Sequence, residues 1–105
     1  MIRVAVTLNP AAFGLPCHPE LTGPAFEFDL AGTHPDLAAC ELVFAICNSS
    51  PDELFCPQEF TPVVRAYRNR GLRSLSVGDT VALTKDGSTR RYRVASCGFE
   101  RADAG

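Results

Sequence analysis

A chain of 105 residues, 46% hydrophobic and 21% charged with a net charge of −2, has the size and composition of one globular domain. It is too apolar to remain disordered, and no run nears the ~18–20 apolar residues of a membrane span. Met1 to Val6 lacks a signal-peptide h-region and the five cysteines are irregularly spaced, so a cytoplasmic protein with reduced thiols is expected.

The first segment alternates. Ile2, Val4, Val6 and Leu8 share one face, while Arg3, Ala5 and Thr7 share the other. A side-chain period of two predicts a half-buried strand, ended by Asn9-Pro10. From Pro10 to Pro24 the prolines and glycines predict loop. Phe26, Phe28 and Leu30 then alternate with Glu27 and Asp29, giving a short second strand closed by Gly32.

Thr33-His34-Pro35-Asp36 reads as a helix start, with Thr33 or His34 at the cap and Pro35 in the first turn. Leu37, Cys40, Phe44 and Cys47, with Val43 beside them, form the expected apolar stripe of a helix reaching about Cys47. A turn of helix is expected between Asp52 and Phe60, interrupted by Pro57. Thr61-Pro62 starts a short second helix with Val63, Val64 and Tyr67 on its apolar face, and Gly71 supplies a left-handed cap. Val77-Gly78-Asp79 turns into a strand carrying Val81 and Leu83. Asp86-Gly87 is the strongest short-range turn signal in the chain, and Tyr92 and Val94 mark the returning strand. Gly98-Phe99 ends that strand, and the residues from Arg101 onward are expected to fray.

The predicted architecture is a single α+β domain over residues 1–105: a mostly antiparallel sheet, two short helices on one face and a C-terminal β-hairpin. The first strand is expected beside that hairpin, because this joins the best-patterned apolar faces.

Phe44, Asn48 and Pro51, the run Arg73-Ser74-Leu75-Ser76-Val77-Gly78-Asp79-Thr80-Val81, and Tyr92-Arg93-Val94 with Gly98-Phe99 together resemble the YodL-like family of small bacterial domains. The resemblance covers roughly residues 42–100, with its specific part at 73–99. It implies a fold and supplies almost no chemistry. The hallmark run also has a purely structural sense. Leu75 and Val77 are spaced to plug the core, Gly78 permits a tight turn, and Asp79 can bond nearby backbone amides.

Candidate chemistry is sparse. No Cys-x-x-Cys pair announces zinc, and no phosphate-binding, dinucleotide-binding or nucleophile-elbow motif occurs. A thiol- or metal-dependent enzyme using Cys17 and His18 is the least favoured function, since sequence neighbours point apart. No catalytic, metal or cofactor residues are therefore assigned. Charge is the better lead. Residues 1–60 carry one basic and eight acidic side chains, whereas 61–105 carry nine basic and four acidic. Arg65, Arg68 and Arg73 on or near the second helix, and Arg91 and Arg93 on the hairpin, are the candidate anion- or partner-binding residues. With no tryptophan and both tyrosines expected in the core, stacking platforms for nucleic acid are missing. An interaction module with an unknown protein partner is the leading expectation, and a nucleic-acid accessory protein the alternative.

Overall fold

Alternating burial builds the sheet. In the computed structural model, which describes residues 1–8, 25–72 and 74–102, strand β1 (Ile2–Thr7) buries Ile2, Val4 and Val6. Strand β2 (Phe26–Leu30) buries Phe26, Phe28 and Leu30 in the same rhythm. The loop expected over 10–24, with Cys17 and His18, lies outside the described residues, as does Arg73. Strands β3 (Thr80–Lys85), β4 (Ser88–Val94) and β5 (Phe99–Arg101) complete the sheet. Its order is β2-β1-β3-β4-β5, antiparallel at every step. As the patterning predicts, β1 lies beside the C-terminal hairpin, with Val4 opposite Leu83 and Val6 opposite Val81.

Helices α1 (Asp36–Asn48) and α2 (Thr61–Asn69) cover one face of this sheet. The helix α1 starts one step later than the sequence suggests. Pro35, at φ −58° and ψ 152°, occupies the cap position itself, and its carbonyl accepts the first helical bond from the Ala39 amide. The buried face is Ala39, Cys40, Val43, Ile46 and Cys47, whereas Leu37 is 55% exposed and leaves the predicted stripe. Pro57 does not interrupt a helical turn. It precedes a single 3-10 turn, Gln58–Phe60, which runs straight into α2.

Left-handed glycines close the turns. Gly71 at φ 73° ends α2, its amide bonding the Arg68 carbonyl. Asp86 at φ 49° and Gly87 at φ 81° form the two-residue hairpin turn between β3 and β4, both with the positive φ of a type I′ turn.

The sequence reading ends the sheet at Gly98-Phe99, but the chain turns again there. The Ala95 amide bonds the Gly98 carbonyl, and Phe99–Arg101 returns as β5 along β4. Phe99 stands edge-on to Phe44 at 6.2 Å, which fastens this last strand to α1. At the other side of the core, Phe26 meets the buried Tyr67 ring edge-on at 5.2 Å. Each such aromatic contact contributes roughly 0.5–1.5 kcal/mol beyond the area it buries.

Candidate interaction surface

The antiparallel register sets out the sheet face opposite the helices row by row. One row runs Glu27, Ala5, Ala82, Arg91 across β2, β1, β3 and β4. A second runs Asp29, Arg3, Thr84, Thr89, and a third runs Thr7, Thr80, Arg93, Glu100. Every charged side chain in these rows is exposed, whereas the alanines and most of the threonines are half-buried. The result is a flat centre of small side chains. Glu27 and Asp29 lie on β2 at one side and Arg91 and Arg93 on β4 towards the other, with Arg3 on β1 beside Asp29 and Glu100 on β5 beside Arg93.

Pairs within the face hold some of these charges in place. Arg3 donates to Asp29 at 3.2 Å, and Arg93 approaches Glu100 at 3.4 Å. The two threonine hydroxyls of Thr84 and Thr89 share a 2.7 Å bond. Exposed pairs of this kind contribute little stability, roughly 0.2–1 kcal/mol each. They do fix the positions of long side chains.

The candidate arginines do not converge. Arg65 is exposed on α2, on the helical side of the domain, while Arg91 and Arg93 are exposed on the opposite face of the sheet. Arg68 has a different role altogether. Its Nε donates to the Ser49 carbonyl at 2.8 Å, Nη1 to the Leu72 carbonyl at 3.2 Å, and Nη2 to the Cys47 carbonyl at 3.1 Å and Ser74 Oγ at 2.8 Å. The fork thereby satisfies carbonyls at the end of α1 and in the segment after α2. It is a structural clamp, and sequence spacing offers no signal for it.

The hallmark turn is also structural. Asp79 donates its amide to the Ser76 carbonyl at 3.1 Å, with Gly78 at φ 98° as the third residue of the turn. The Ser76 amide in turn donates to Asp79 Oδ2 at 2.7 Å. Gly78 and Asp79 then bond with Val94, stitching the turn to the end of β4. Leu75 is buried as expected. Val77 is not a core plug: at the tip of the turn it is 58% exposed.

A polar cluster that the sequence reading missed joins the acidic and basic halves of the chain. Asp36, at the start of α1 with only 14% of its side chain exposed, meets Lys85 Nζ at 2.7 Å and Arg90 Nε at 2.6 Å. Tyr92 also donates its hydroxyl to Asp36 at 2.6 Å, and Lys85 donates to the His34 carbonyl at 2.6 Å. Burial alone would raise the Asp36 carboxyl. Hydrogen bonds from Lys85, Tyr92 and Arg90, with the Lys85 charge, outweigh it and hold the pKa at about 2. The same bond to Asp36, with burial second, raises the Tyr92 phenol. A cleft of about 190 Å³ beside Lys85 and His34 borders this cluster, but the Lys85 ammonium is already committed to Asp36 and the His34 carbonyl.

The thiols are set by their surroundings. Burial pushes Cys40 and Cys47 up to about 12, so both stay protonated at neutral pH. Among the described residues no group of three or more His, Cys, Asp or Glu is placed to hold a metal ion, and no helix is long and apolar enough to cross a membrane. No family model, characterised protein or solved structure matches the chain.

Proposed function

We propose that this chain is a non-enzymatic, cytoplasmic protein-interaction module, resembling YodL-like domains, that docks its partner on the open face of the sheet. The observation that carries this reading is the face itself. The two central strands, β1 and β3, present a strip of Ala5, Ala82, Thr7, Thr80 and Thr84 flanked by charged side chains, without a covering layer among the described residues. Small central side chains let a partner approach the sheet closely, and charged rims orient it. The chemistry elsewhere supports the same reading. Asp36 is occupied in joining α1 to the hairpin, Arg68 in satisfying backbone carbonyls, and the two buried thiols are held protonated.

Replacing Ala82 with arginine tests the proposal, because it raises a long charged side chain from the middle of the face without touching the core. Immobilised wild-type protein should retain a reproducible set of proteins from its native cell extract, and Ala82→Arg should lose them while keeping its fold by circular dichroism. Identical retention by both proteins would overturn the reading. Retention of oligonucleotide instead, weakening steeply with salt, would favour a nucleic-acid accessory role.

A further inference from the structure

No further inference is drawn: the strongest candidate, the apolar patch at the outer edge of β5 where the half-buried Phe99 meets Phe44 of α1, spans a strand of only three residues, and nothing in the structure shows what covers it.

Discussion

Asp36 offers a quantitative test of how the two halves of the chain are joined. Its carboxylate accepts from Lys85, Arg90 and Tyr92 across about fifty residues of sequence, and its pKa falls from 3.8 to about 2. At roughly 1.4 kcal/mol per pKa unit, a displacement of just under two units contributes about 2 kcal/mol to folding stability. Because the folded pKa is depressed, that contribution is complete above the unfolded value near 4. It is lost as the pH falls through about 2. Asp36→Asn keeps the size of the side chain and removes the charge, leaving Lys85 and Arg90 beside a neutral amide. Urea unfolding at pH 7 should show the variant less stable by about 2–3 kcal/mol, with an unchanged slope against urea. Repeated towards pH 2, the difference between wild type and variant should shrink steadily. An equal difference at both pH values, or none at pH 7, would refute the assignment of the cluster as the joint between α1 and the hairpin.

Three further outcomes follow from the same geometry. Arg68→Ala removes the donor to three backbone carbonyls and should cost about 3 kcal/mol in urea unfolding, whereas Arg65→Ala on the exposed side of α2 should change stability by under about 0.5 kcal/mol; equal effects would contradict the clamp. Gly78→Ala imposes a side chain at φ 98° and should lower stability by roughly 1–3 kcal/mol, which thermal or urea unfolding would reveal. Native labelling with iodoacetamide near neutral pH, read by peptide mass spectrometry, should modify the exposed Cys97 and spare Cys40 and Cys47 until the protein unfolds.

What could be read from the sequence was what local pattern encodes. The alternation of Ile2, Val4 and Val6, the Asp86-Gly87 turn and the helix stop at Gly71 each involve a few consecutive residues, and each reads directly as a face or a turn. The pairing of β1 with β3 followed because both strands carry a clean apolar face. Strand β5 escaped because three residues cannot display a period. Gly98 at φ 83° after Ser96-Cys97 was the available signal that the chain reverses there. Val77 was misplaced because a tight turn aims its second residue outward, whatever its hydrophobicity. The Arg68 clamp and the Asp36 cluster escaped for a common reason. They join groups 19 to 56 residues apart, and no spacing rule reaches across the intervening fold. The arginine candidates illustrate the consequence. Spacing gives two local groups and no relation between them, and the layer arrangement places Arg65 and the Arg91–Arg93 pair on opposite sides of the domain.

The central claim is that the open face of the sheet is where this protein meets its partner. Capture from native extract on wild type and on Ala82→Arg, with folding checked in both, measures this most directly. The account predicts a reproducible set of retained proteins that the variant fails to hold. The same set on both surfaces would contradict it.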